Sequence, residues 1–221
     1  MISEVVPLHP PSSVLKQKLG TTRDEFWLAQ RTDEWFRQRE TVPGFPGMNP
    51  ITGSSLGNVV GFWKDRQEEY WNWIHGGEKL ELPESSMVAC EHGTKYEPVA
   101  CQRYADSLSA KEDVDVRVYE VGAARVHDWM LISADGLASF GNDWCAVEIK
   151  CPWKGGKMTS HFNIPPYYMP QIQAHCAALD VPSCHFVSYG VADGSLKVWA
   201  VPRERNLWAK IYDLSLYFFA S

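Results

Sequence analysis

The chain has 221 residues, a mass of 25.1 kDa and a formal net charge of −6, and it is 45% hydrophobic and 22% charged. That is enough chain for one sizeable core, and the composition excludes wholesale disorder, a fibrous repeat and a grossly cationic surface. Taken alone, the acidic balance argues against nucleic acid as a partner, because binding to phosphates draws on Lys and Arg. No run of about 18 apolar residues occurs, so nothing is expected to span a membrane. Met1–Gly20 lacks the basic flank and apolar stretch of a secretory signal. The six cysteines show no Cys-x-x-Cys spacing, which argues against a zinc ribbon or a redox pair and fits a reduced intracellular compartment.

Residues 1–22 mix Pro, Ser and Lys without periodicity and read as a loose or wrapping arm, leaving 23–221 as a single domain. Phe26, Trp27, Gln30, Trp35 and Phe36 make an apolar stripe that predicts a helix from Arg23 to near Arg39. Thr41–Pro50 is too dense in Pro and Gly to be regular, and Ile51–Ser55 opens a short helix with Thr52 or Ser54 as its cap. Further helices are expected over Lys64–Ile74 and from Pro83 toward Ser107, the second with a kink or break at Pro98. After Ala110 the pattern changes to strands. Val114–Val121 alternates apolar and polar residues, and Trp129–Asp135 and Trp144–Lys150 follow, with Gly136–Asp143 read as a short turn in a meander of three strands. A helix over Pro165–Leu179, strands near Cys184–Tyr189 and Leu196–Val201, and an amphipathic helix over Leu207–Phe219 complete the chain. The order predicts an α/β fold, a central mixed sheet flanked by helices.

Chemistry concentrates at the strand ends. Glu148 and Lys150 are two apart, so they share one face of their strand, and pairing with the preceding strand would bring Asp135 beside Glu148. Two adjacent carboxylates repel unless a cation compensates them, and hard oxygen ligands suit Mg²⁺ or Mn²⁺. The Ile149 carbonyl could add a ligand, Glu97 on the preceding helix is a third acid, and an ammonium beside a metal-bound water could orient it or stabilise a phosphorane-like transition state. The chemical reading is metal-assisted hydrolysis of a phosphodiester.

Six motifs occur in one order. They are Trp35-x-x-x-Arg39, Ile51-Thr-Gly-Ser54, His92-Gly-Thr-Lys-Tyr-Glu97, Ser133-Ala-Asp135-Gly, Val147-Glu148-Ile-Lys150-Cys-Pro152 and Tyr168-x-x-Gln171-Ile-Gln173. Together they resemble the phage lambda exonuclease family, the YqaJ-type viral recombinase branch of the PD-(D/E)XK nucleases, over about Arg31–Leu179. The resemblance implies a restriction-endonuclease-like core that degrades linear duplex DNA from an end with Mg²⁺, 5′→3′, in recombination or repair. Asp135 and Glu148, with Ile149 and Glu97, would hold the metal and Lys150 would position the water. Arg39, Ser54 and Ser133 match positions that grip the terminal phosphate, with Arg37 the nearest competitor of Arg39. Lys154 and Lys157 flank the family's basic phosphate contact, which is glycine here, and either is a candidate for it. Tyr168 and Gln171 match the helical element lining the site; for Gln173 a polar patch on an apolar helix is an equally good reading.

The resemblance also implies double-stranded DNA ends as substrate, a single-strand annealing protein as a partner, and either a trimeric ring or a monomer. It points to the cytoplasm of a bacterial host, or to the host cytoplasm or nucleus if the source is viral. A related endonuclease and an inactive DNA-end-binding protein stand as alternatives. No cysteine follows Cys184, which argues against the iron–sulfur cluster of some related nucleases. His92, His127, His161, His175 and His185 lack metal spacing and read as packing or surface residues, and core packing is the favoured reading of Trp63, Trp71 and Trp73. Arg37, Arg39, Lys150, Lys154 and Lys157 are expected to face a common cleft, which would reconcile the acidic net charge with a DNA substrate.

Overall fold

A computed structural model describes residues 30–78 and 81–221. The expected arm at 1–22 and the first part of the helix from Arg23 lie outside the described residues. The rest of that helix is α1, Asp33–Gln38, capped by Thr32, whose hydroxyl accepts a hydrogen bond from Trp35 N at 3.3 Å. Trp35 is buried against Ala123 and Leu131. The Pro/Gly segment that follows is irregular, as its composition dictates.

Ile51–Thr52 form a short strand, β1, and of the two candidate caps Thr52 is the N-cap residue, in a capping box with Ser55. Ser55 Oγ accepts from Thr52 N at 3.1 Å and donates to Thr52 O at 2.7 Å, winding Gly53–Ser55 into a 3₁₀ turn that leads into α2, Leu56–Val59. Then come α3, Lys64–Ile74, and the 29-residue α4, Glu84–Glu112. The break expected at Pro98 does not occur, because Pro98 and Thr94 are on the exposed side, where water can satisfy the freed carbonyl.

The strands are β2 (Val116–Tyr119), β3 (Ala124–His127), β4 (Met130–Ile132), β5 (Gly136–Phe140), β6 (Asp143–Lys150), β7 (Ser183–Tyr189) and β8 (Leu196–Pro202). They form a five-stranded mixed sheet of order β2-β5-β6-β7-β8, parallel only between β6 and β7, and a three-stranded sheet of order β1-β4-β3. The three-strand meander is thereby corrected in two ways. Gly136–Phe140, read as turn, is a strand, and the turn shrinks to Gly141-Asn142, with Gly141 at φ 58°. The strand expected up to Asp135 ends at Ile132 and joins the smaller sheet, where β1 pairs with it in parallel.

Helix α4 covers one face of the large sheet, packing Ala100, Cys101, Tyr104 and Leu108 on Val118, Cys145, Val147 and Val187. The other face, through Leu137, Ala146 and Phe186, meets Ile172 and Cys176 of α5, Met169–Ala178, which is the crossover between the parallel strands β6 and β7. Beyond α5 lie α2, α3 and α6 (Arg205–Ala220), gathered around Leu56, Ile74, Met130, Ile211 and Phe218. Sandwiched between two cores, α5 buries every residue from Pro170 to Cys176, so it shows no clear polar face.

Candidate active site

The site sits where β5 and β6 meet the loop before β5. Asp135 immediately precedes β5, whose register pairs Gly136 with Val147, and Asp135 N donates to Val147 O at 3.1 Å. That register makes Asp135 the neighbour of Glu148. Asp135 Oδ2 in turn accepts a 2.7 Å hydrogen bond from Ile149 N, which fixes the carboxyl against the strand. Upstream, the Gln30 amide donates to Val121 O at 2.8 Å and Ala134 O at 2.7 Å, holding the segment that carries Asp135.

Alternation along β6 sends Val147 and Ile149 toward α4, and Glu148 and Lys150 toward α5. Glu148 is 1% exposed, ion-paired to Lys150 and with Oε2 2.9 Å from His175 Nε2. Burial alone would raise its carboxyl, but Lys150 and His175 outweigh burial and hold it at about 2. Burial would likewise lower the Lys150 ammonium, yet the carboxylates of Glu148 and Asp135 hold it above the ordinary lysine value. Lys150 is therefore held in its protonated form, in which it offers a positive charge and N–H donors. Tyr168 lies beneath it, the ring centre 5.0 Å from Nζ.

A cavity of about 510 Å³ opens over this set, lined by Glu97, Asp135, Ile149, Lys150, Lys154 and Tyr168 among others. Burial and the charges of Glu148 and Glu97 push the Asp135 carboxyl well above the usual carboxylate range. No three His, Cys, Asp or Glu side chains among the described residues stand ready as a cage. The donor chemistry nevertheless fits a divalent cation. Both Glu148 oxygens are buried without a well-aligned hydrogen bond, and Asp135, Glu148 and Glu97 still crowd one another although Lys150 pairs with Glu148 and Arg31 with Glu97. Asp135, Glu148, the Ile149 carbonyl and Glu97 are the groups that could hold it.

The remaining predicted residues are dispersed. Lys157 is joined to Lys154 by paired backbone hydrogen bonds of 3.0 Å on an exposed loop. Arg39 lies over the Trp35 ring at 4.3 Å, and Arg37 pairs with Glu34 at 2.6 Å, so neither lines the cavity and the expected common cleft reduces to Lys150 and Lys154. Ser54 is exposed in a second groove with Asn58, Arg66 and Tyr70. Ser133 Oγ donates to Gly122 O at 3.3 Å. Gln171 is buried beneath the 3₁₀ turn, its Cγ 3.8 Å from where a Cβ on Gly53 would stand. Gln173 is a correction. It is fully buried, with Nε2 donating to Pro202 O at 3.0 Å and Oε1 accepting from Glu204 N at 2.8 Å, so its amide ties α5 to the end of β8 and is not presented to the cavity.

The family model of a YqaJ-like viral recombinase domain matches residues 34–180. The chain belongs to this family. Three solved structures resemble this YqaJ-like chain. They are the alkaline exonuclease LHK-Exo of Laribacter hongkongensis (25% identity, TM-score 0.62, 86% of this chain and 91% of that one), LHK-Exo in complex with dAMP (26%, 0.61, the same coverage), and a phage-related exonuclease of Haemophilus somnus 129PT (12%, 0.51, 78% and 94%). The last likeness speaks to the fold alone. No curated protein matches the sequence. The PD-(D/E)XK-type α/β core expected from the motifs is the fold of the YqaJ-like chain. No helix among the described residues is long and apolar enough to cross a membrane.

Two residues of the site escaped sequence reasoning. His175, read as a packing or surface residue, is fully buried against Glu148; its signal was the four-residue spacing from Gln171, which puts both on one helix face. Arg31, 2.8 Å from Glu97 Oε2, left no signal, since nothing local links it to a residue 66 positions away.

Proposed function

We propose that this YqaJ-like chain is a Mg²⁺-dependent exonuclease that hydrolyses phosphodiesters of linear double-stranded DNA from an end, with 5′→3′ polarity. The observation that carries the reading is the juxtaposition of Asp135, just before β5, with Glu148 and Lys150 of β6: Asp135 and Lys150 line an open cavity and Glu148 is buried beside them, ion-paired to Lys150. LHK-Exo is by its description an alkaline exonuclease and has been crystallised with dAMP, a deoxynucleotide; both facts support the same chemistry here.

Asp135, Glu148, the Ile149 carbonyl and Glu97 would hold the ion. When bound, Mg²⁺ supplies Lewis acidity toward the phosphate and a lowered pKa for the attacking water. Lys150, kept protonated by its two carboxylate neighbours, donates to the water or to a non-bridging phosphate oxygen and offsets the charge that grows in the transition state. Tyr168 under Lys150 limits where the ammonium can swing. Lys154, in the same cavity, meets the backbone of the strand being cut. Arg39 and Ser54 grip the terminal phosphate only if DNA binding draws them toward the cavity.

The deciding experiment incubates the purified protein with Mg²⁺ and either linear or covalently closed circular duplex, each strand end-labelled in the linear form. Shortening of the linear form from its 5′ ends, intact circles and no reaction in EDTA are expected. Cutting of circles would make the protein an endonuclease, and end binding without any cutting would make it an inactive reader of DNA ends.

A further inference from the structure

A path of aromatic rings leads from the cavity to the surface. From Tyr168, under Lys150, the ring of Tyr167 is 4.5 Å away centre to centre, that of Trp63 a further 4.8 Å, and that of Phe62 a further 6.4 Å. Tyr167 and Tyr168 line the cavity with Asp135 and Lys150, whereas Trp63 and Phe62 are 41% and 47% exposed. The expectation that Trp63, Trp71 and Trp73 are core residues therefore divides. Trp71 and Trp73 pack on the cluster around Ile74, whereas Trp63 is exposed and is not a member of the core clusters among the described residues.

The exposed indole is nonetheless held firmly. A Cβ on Gly57 would stand 2.9 Å from Trp63 Cζ3 and 3.1 Å from Tyr167 O, so only glycine at 57 lets the ring press onto the α2 backbone beside Tyr167. Gly61, at φ 86°, turns the chain so that Phe62 N donates to Gly57 O at 3.0 Å, bringing Trp63 back over the helix it follows. The indole is thus seated by backbone and a neighbouring ring while 41% of the residue stays exposed. A large ring fixed in this way loses little entropy on taking a flat partner. The partner class follows from position, because the path is continuous with the acids and the ammonium that would act on a phosphodiester, and the groups flanking such a phosphate are nucleosides.

We propose that Phe62, Trp63 and Tyr167 form a stacking subsite for nucleobases flanking the phosphate being cut. The inference rests on the nuclease reading of the same cavity. Every base has a π-face, so the subsite tolerates any sequence, and it takes up bases that have left the duplex stack at an opened end.

The test uses the full chain bound to linear duplex with Ca²⁺ in place of Mg²⁺. 5-Iododeoxyuridine is introduced singly into the last four nucleotides of either strand, irradiated, and the crosslinked peptide identified by mass spectrometry. In parallel, end binding is measured for Trp63→Ala and Trp63→Phe, and digestion of unlabelled linear duplex is measured with Mg²⁺. Crosslinks at Phe62, Trp63 or Tyr167 are expected, with end binding weakened roughly 5- to 100-fold in Trp63→Ala and largely restored in Trp63→Phe. If the wild-type protein digests linear DNA but crosslinks only elsewhere, or if Trp63→Ala binds ends as tightly as wild type, the stacking subsite is wrong and the nuclease reading stands. Crosslinks along the ring path without digestion would keep the subsite and overturn the nuclease reading. The wild-type crosslink decides the matter even if Trp63→Ala does not fold.

Discussion

At the scale of single residues, the site is a set of charges that the fold holds against their own repulsion. Asp135 is the clearest case, pushed upward by burial, Glu148 and Glu97 while a 2.7 Å hydrogen bond from Ile149 N keeps it in place. A carboxyl whose folded value lies above its unfolded one costs stability at neutral pH unless a cation is present. Asp135→Asn is therefore expected to abolish cleavage and, in EDTA, to raise the midpoint of thermal unfolding by about 2–4 °C for each kcal/mol of repulsion relieved. A lower midpoint in differential scanning calorimetry would contradict the repulsion account. Lys150 plays the opposite part, as the cation that its neighbours keep protonated. Lys150→Ala should reduce cleavage by at least about 100-fold while sparing binding of linear duplex in a gel-shift assay, because it removes stabilisation of transition-state charge and leaves the rest of the cavity's contacts to DNA in place. Retention of full activity would remove Lys150 from the mechanism.

At the scale of elements, the β5–β6 hairpin is what brings the acids together. Gly136, the first residue of β5, is the tight point in its seating on β2. A Cβ there would stand 2.7 Å from Val118 Cγ1 and 3.4 Å from Tyr119 O. Gly136→Ala should therefore push β2 from β5 and cost about 1–3 kcal/mol in urea unfolding, with activity reduced because Asp135 shifts with its strand. Unchanged stability would mean that β2 yields freely, against the packing described. The same hairpin explains the error in reading Gly136–Asp143 as a turn. Glycine at the start of a strand, where a neighbouring side chain comes close, looks in sequence like glycine in a loop; only the partner strand distinguishes them.

At the scale of the molecule, the −6 charge does not oppose a nucleic-acid substrate, because its distribution matters more than its sum. Lys150 and Lys154 line the cavity, while Arg37 is spent on Glu34 and Arg39 on Trp35. Global stability carries a second electrostatic signature. Burial, with a smaller effect of Lys111, lowers the His185 imidazole from its ordinary value of 6.5, and its Nδ1 shares a 2.8 Å hydrogen bond with the buried Tyr104 hydroxyl between α4 and the sheet. Because the fold favours the neutral ring, the stability it contributes is complete above pH 6.5 and declines as pH falls below that toward the lowered folded value. The urea midpoint should thus drop between pH 7 and pH 5, and drop less in His185→Gln. An equal drop in the variant would assign the acid sensitivity to other groups.

Sequence by itself determined the elements whose pattern is long and local. Lys64–Ile74 falls where its periodicity put it, the buried central strands β6 and β7 read as apolar runs, and Glu148 and Lys150 share a face because side chains in a strand alternate. The ordered motifs also carried the family, since they preserve the chemistry of the site in one dimension. Only the tertiary structure decided which partners meet. Asp135 faces Glu148 through β5 rather than through the strand before it, His175 reaches Glu148 across the crossover, Arg31 reaches Glu97, and Gln173 turns to the β8 end instead of the cavity. The physical reason is range. Periodicity registers neighbours within about four positions along the chain, whereas these contacts depend on strand register and on which two cores a helix is pressed between.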